Sequence, residues 1–176
     1  MSRAPRRPLP PLDQPALERA ALRYVERYAT TRGKLAAYLT RKLRERGSEG
    51  PVDIEGLADR MAELRYVDDR AFAEMRAASM TRRGLGARRI RDALRHAGVG
   101  EEDAEAVADT LDDGAEAAAL AFARRKRIGP FALEPVERER REKQIAAMVR
   151  AGHAPSLARR ILSLDPGEPD DLILAE

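Results

Sequence analysis

The chain has no cysteine, no tryptophan and only two histidines, His96 and His153. Zinc fingers, iron–sulfur clusters and thiol nucleophiles are thereby excluded, and no cofactor or metal is expected. A cysteine-free chain also fits a reducing cytoplasm. Aromatic residues make up 4% of the 176. No apolar run approaches the roughly 20 residues needed to cross a bilayer, so no membrane role is expected. The opening MSRAPRRPLPPLDQP carries arginine without an apolar segment and does not read as a secretory signal. Valine and isoleucine never alternate with polar residues over a strand length, which predicts essentially no sheet.

What is present is alanine, leucine, arginine and glutamate, all strong helix formers. A pattern also recurs three times. An apolar residue, three variable residues and a glycine close each copy, at Leu43 to Gly47, Leu94 to Gly98 and Met148 to Gly152. The glycines are 51 and 54 residues apart. Residues at i and i+4 share a helix face, and a glycine just past a helix end takes the left-handed turn that a Cβ resists. The expected fold is all-α, an elongated, curved array of three tandem three-helix repeats. The repeats are placed at 15–64, 65–113 and 114–164, between a disordered Arg/Pro arm (1–14) and an acidic tail (165–176).

Nine helices follow from the stripes and stops. Asp13 and Pro15 start the first, with Leu17, Ala21, Tyr24, Val25 and Tyr28 as its apolar stripe. Leu35, Tyr38, Leu39 and Leu43 mark the second. Asp53 caps the third, whose stripe is Ile54, Leu57, Ala58, Met61 and Leu64. Asp68 caps the fourth and Asp69 adds charge to its first turn, where the helix dipole favours an acid. Phe72, Met75 and Ser79 are expected to point inward. Gly84-Leu85-Gly86 makes a corner before Ile90, Ala93, Leu94 and Ala97. Ala104, Val107, Ala108 and Leu111 mark the sixth helix, and Ala118, Ala121 and Phe122 the seventh. The charged stretch 132–143 is expected to begin the eighth, which holds Ile145, Met148 and Val149. Pro155 opens the last, with Leu157, Ile161 and Leu164.

No catalytic constellation emerges. Gly84-Leu85-Gly86 lacks the third glycine and the strand of a nucleotide-binding loop. Asp68 and Asp69 are adjacent at a helix start, point apart and have no third ligand, so they read as caps. His96 and His153 have no nucleophile beside them and read as structural. The chain is therefore not expected to be an enzyme. The remaining candidates are cations: Lys34, Arg41, Lys42 and Arg44 on the second helix; Arg82, Arg83, Arg88, Arg89 and Arg91 around the fifth; and Arg124, Arg125, Lys126 and Arg127 on the seventh. The net charge of +3 conceals 12 basic against 5 acidic residues over 1–50 and an acidic surplus after 100. Arginine's planar fork suits carboxylates and phosphates, while the plain alternative is solvated helix faces paired with neighbouring glutamates.

The segment Leu64-Arg65-Tyr66-Val67-Asp68-Asp69-Arg70-Ala71-Phe72-Ala73 resembles a core shared by the RecX regulatory proteins, bacterial modulators of the RecA recombinase. Gly84, Gly86, Arg89, Ile90, Leu94 and Gly98 are similar to the run that follows it in that family. Leu22, Tyr28, Leu35, Leu39, Leu43 and Gly47 fit its first repeat, so the likeness spans about residues 16–164. Three departures stand out: Arg65, where the family often has glycine or a small residue; His153, where an aromatic often follows the third glycine; and the 132–143 stretch. The resemblance implies a helical-repeat regulator in DNA repair, recombination and the SOS response. It implies binding along the groove of the RecA–DNA filament and inhibition of ATP hydrolysis, strand exchange and filament growth. DNA would be met through the filament or weakly and directly, by a cytoplasmic monomer. The matched motif residues Leu64, Tyr66, Asp68, Asp69, Phe72, Ala73, Gly84, Gly86, Ile90, Leu94 and Gly98 would pack and cap. The rival reading is a helix-turn-helix DNA-binding module acting without a recombinase.

Overall fold

The computed structural model describes residues 10–167, apart from the side chains of Ala108 and Asp109. Among these residues there are nine α-helices: α1 (Gln14–Val25), α2 (Arg32–Arg46), α3 (Ile54–Glu63), α4 (Asp69–Arg82), α5 (Ala87–His96), α6 (Glu101–Asp113), α7 (Ala115–Lys126), α8 (Arg138–Arg150) and α9 (Pro155–Ser163). The chain is all-α, and its only strand-like pairing among the described residues is a single bridge between Leu12 and Ser48. Among the described residues no helix is long and apolar enough to cross a membrane. The starts follow local chemistry. Asp13 accepts from the Ala16 N–H, Asp53 from Gly56 and Asp68 from Ala71, each at 2.8 Å, so each carboxylate satisfies a donor that the first helical turn leaves unpaired.

Two compact units emerge, residues 10–72 with Ala97–Gly100, and Ala73–His96 with residues 101–167. Ala97–Gly100, expected within the second repeat, thus packs with the first unit. Its core joins Leu17 and Ala21 of α1, Leu35 and Leu39 of α2, and Leu57, Ala58 and Met61 of α3. Leu12 belongs to it too, at 2% exposure. The Leu12 N–H donates to the Gly47 carbonyl, and Arg46 donates twice to the Pro10 carbonyl. The expected disordered arm therefore does not extend to residues 10–14; residues 1–9 lie outside the described range. Tyr28 and Leu64 were expected inside and stand half exposed.

The second unit is centred on Phe122 and Ala123 of α7, Met148 of α8, and Leu157, Ala158 and Ile161 of α9. Ala121, assigned inward from sequence, is exposed, and Ala119 and Ala123 take the buried positions. On α4 the inward row is Ala73, Ala77 and Met80, while Met75 is 58% exposed. With alanines at two of the three buried positions, the largest apolar residues do not mark the face. A 3-10 turn at Gly129–Phe131 follows α7, and α8 begins only at Arg138, so the expected start at 132 comes six residues early. The Gly167 N–H donates to Pro130, which ties down the first residues of the expected tail; residues 168–176 lie outside the described range.

Each unit contains the same junction, in which the end of one repeat's middle helix abuts the start of the preceding repeat's middle helix. In the first unit, Thr31 is the N-cap of α2, and its fully buried hydroxyl accepts from the Lys34 N–H and donates to the Ala97 carbonyl. A Cβ on Gly98 would lie 2.9 Å from the Gly33 Cα. In the second unit, the Gly86 N–H before α5 donates to the Ala151 carbonyl. A Cβ on Gly152 would lie 2.5 Å from the Arg89 nitrogen. Gly98 and Gly152 have φ of +69° and +99°. The recurring glycine therefore serves two purposes, a left-handed turn and a backbone contact that leaves no room for a side chain. The carbonyl-rich end of one helix also faces the N–H-rich start of another, which the two dipoles favour.

Candidate partner-facing basic surface

On α2 the cations divide by position. Lys34 is exposed near the helix start, its Nζ 5.0 Å from the centroid of the Phe72 ring. Arg41 and Lys42 lie two turns on and both approach Tyr38, at 5.7 and 5.3 Å. Cation–π contacts of this kind hold a charge at the surface without neutralising it. Arg41 also meets Glu45 at 3.9 Å, with both side chains largely exposed. Such a surface pair contributes roughly 0–1 kcal/mol and is easily exchanged for a better partner. Arg44 is exposed on the same helix.

In the second unit, Arg88 and Arg91 line a hollow of about 190 Å³ with Asp112 and His153. Arg91 is engaged, donating to both carboxylate oxygens of Asp112 at 3.1 and 3.0 Å. Arg88 and Arg89 are exposed. Their helix is anchored from behind, by Ile90 and Leu94 in the core and by the Arg88 N–H donating to Gly152. Arg82 and Arg83 are exposed at the C-terminal end of α4, where the dipole favours positive charge. The corner after them abuts α7, since a Cβ on Gly84 would lie 2.8 Å from the Phe122 nitrogen. That contact brings Arg82 and Arg83 beside the helix carrying Arg124, Arg125, Lys126 and Arg127, all exposed. Arg124 and Arg125 sit 4.7 Å from Phe131 and 5.8 Å from Phe122.

The motif residues separate into two groups. Ala73, Ile90 and Leu94 are buried, and Asp68 caps α4. Asp69 does more than charge its own helix. It is buried at 6%, and its carboxylate accepts from the Arg32 N–H at 2.8 Å and the Arg32 Nε at 3.4 Å. It therefore caps α2 from 37 residues away. Leu64 and Tyr66, expected to pack, are 50% and 54% exposed. Arg65 has φ of +61°, the left-handed region that glycine enters freely. Four cations escaped the sequence reading: Arg19, Arg23, Arg27 and Arg46. They line two adjoining hollows that share Arg23 and Tyr38. The i, i+4, i+8 spacing of Arg19, Arg23 and Arg27 was the available signal.

Residues 68–107 match the family model described as "RecX, second three-helix domain". The chain is 36% identical over 175 residues to the Regulatory protein RecX of Myxococcus xanthus (strain DK1622), covering 93% of this chain and 92% of the relative. It is 31% identical over 159 residues to the protein of that name from Mycobacterium sp. (strain JLS), covering 88% and 86%. The crystal structure of RecX from Lactobacillus salivarius superposes with a TM-score of 0.63 at 18% identity, covering 84% of this chain and 92% of that one. That likeness shows a shared helical-repeat fold. Repeating glycines, capping aspartates and 36% identity over nearly the whole chain lead to one assignment: the chain belongs to the RecX family of regulatory proteins.

Proposed function

We propose that this protein binds the filament of the RecA recombinase in the cytoplasm and restrains ATP hydrolysis, strand exchange and filament growth, acting by occupancy rather than catalysis. The observation that carries this reading is the 36% identity along nearly the whole of a protein named a regulatory RecX. The exposed cations supply the contact chemistry. Arg88 and Arg89 stand on a helix pinned by its buried face, so they meet a partner without refolding. Phosphates or acidic protein surface within a nucleoprotein groove are the complementary chemistry. In this reading the three repeats at 15–64, 65–113 and 114–164 present their cations to successive parts of the filament.

Co-sedimentation with recombinase filaments tests this, repeated after Arg88→Glu with Arg89→Glu and after Lys34→Glu with Arg41→Glu. The wild-type chain should pellet with filaments, and each pair of reversals should weaken that binding about tenfold or more at moderate salt. A wild-type chain that stays in the supernatant would overturn the reading. Tight, sequence-selective binding to naked duplex would favour the helix-turn-helix alternative instead.

A further inference from the structure

Three of the four tyrosines in the chain gather at one place in the first unit. Tyr24 and Tyr38 are stacked, with centroids 4.2 Å apart and planes at 21°. Tyr28 leans on Tyr24 at 5.2 Å and 50°, and is itself 52% exposed. These rings open onto a groove of about 830 Å³ whose other walls are Arg23, Arg27, Arg41 and Glu26. The lining thus holds three arginines and one glutamate, and Arg41 also meets Glu45 at 3.9 Å. The hollow beside it, about 250 Å³, adds Arg19, Lys42 and Arg46 and has no acidic residue in its lining. The cations are ranked along two helix faces, Arg19 and Arg23 on α1 with Arg27 just beyond it, and Lys42 and Arg46 on α2. Arg46 is partly committed to the Pro10 carbonyl.

A ring half exposed in a protein with so few aromatics calls for an account. A folding role is served by Tyr24 and Tyr38, which pack against the core of this unit. Tyr28 lies past the end of α1 and leaves half its surface in water. An open aromatic edge backed by stacked rings and bordered by cations is the chemistry that holds an unpaired nucleobase and its phosphates. A duplex offers no free base face to such a platform.

We infer that the Tyr24–Tyr28–Tyr38 groove is a nucleobase-stacking site for single-stranded DNA. Tyr28 is the open platform, and Arg23, Arg27, Arg41 and Lys42 receive the flanking phosphates. The choice of DNA among nucleic acids rests on the function proposed above; the stacking chemistry does not. Unstacked bases enter the groove, and the ranked cations of the adjoining hollow carry the backbone onward.

The test uses the full chain and naked oligonucleotides, with no recombinase present, so its failure is separate from that of the filament reading. In a Tyr66→Phe background the tyrosine emission arises only from the three groove rings, since the chain has no tryptophan. Titration with oligo(dT) of about 15 nucleotides should quench that emission. An abasic strand of equal length should leave it unquenched and bind roughly tenfold more weakly. By anisotropy, Tyr28→Ala should weaken oligo(dT) binding about tenfold with helicity unchanged by circular dichroism, and Tyr28→Phe should restore it. Equal affinity for the abasic strand, no effect of Tyr28→Ala, tighter binding of duplex of the same length, or equal competition by an acidic peptide would each overturn the inference.

Discussion

His153 is a buried imidazole, 4% exposed, whose Nε2 lies 3.0 Å from the Gly84 carbonyl and whose ring meets Phe122 edge-on. A carbonyl only accepts, so the neutral ring carries its proton on Nε2. Burial holds the pKa below the ordinary 6.5, with the Gly84 hydrogen bond opposing it. The unfolded chain therefore binds a proton before the folded one does. The stability this neutral imidazole contributes is complete above about pH 6.5 and is lost as pH falls from there toward the folded pKa. Thermal melts from pH 7.5 down to 5.5 should show Tm falling, and His153→Gln should flatten the fall while keeping a donor for Gly84. A pH response that is the same in the variant would show that His153 is not its source. At this scale the sequence was legible where chemistry is local. Asp13, Asp53 and Asp68 read as caps because an acid stood at each helix start. The cap that Asp69 places on Arg32 was hidden, because nothing in the spacing of two residues 37 apart says that they meet. Arg65 stood out as a departure from the resembled motif, and its φ of +61° is a backbone conformation that favours glycine.

Between elements, the repeated glycines hold the account together, and they are open to a controlled comparison. Gly47, Gly98 and Gly152 all have positive φ. Only Gly98 and Gly152 press on another backbone; a Cβ on Gly47 would meet nothing within 4 Å. Gly47, at φ 78° and ψ 168°, faces only a backbone penalty, so Gly47→Ala should cost about 1–3 kcal/mol. Gly98→Ala and Gly152→Ala add a clash with backbone that cannot step aside, and each should cost about 2–5 kcal/mol. Urea melts of the three variants would measure this, and equal losses would contradict the junctions described. Helix number and type were readable because most stripes are periodic and glycines mark several of the stops, as at Gly47, Gly98 and Gly152. The inward face of α4 was not, because the small Ala73 and Ala77 hold buried positions while the larger Met75 is exposed, so size misled the assignment. Nor was the Tyr24–Tyr28–Tyr38 cluster legible. Its rings sit at the margin of two apolar stripes, and only packing α1 against α2 reveals that they meet in the open.

For the whole molecule, membership of the RecX family fixes a class of regulator, and the exposed cations state how such a regulator could hold a charged partner. The sequence carried the family through a motif of caps, packing alanines and corner glycines. It could not say which cations are engaged, because that depends on neighbours distant along the chain. Arg91 turns to Asp112 while Arg88, three residues earlier, is exposed. The function proposed for it is restraint of a recombinase by occupancy of its filament. The most direct measurement is the ATP hydrolysis rate of RecA on single-stranded DNA, titrated with this chain. The rate should fall to a low plateau as the chain saturates the filament, and Arg88→Glu with Arg89→Glu should move that titration to higher concentration. An unchanged rate at saturating protein would contradict the account.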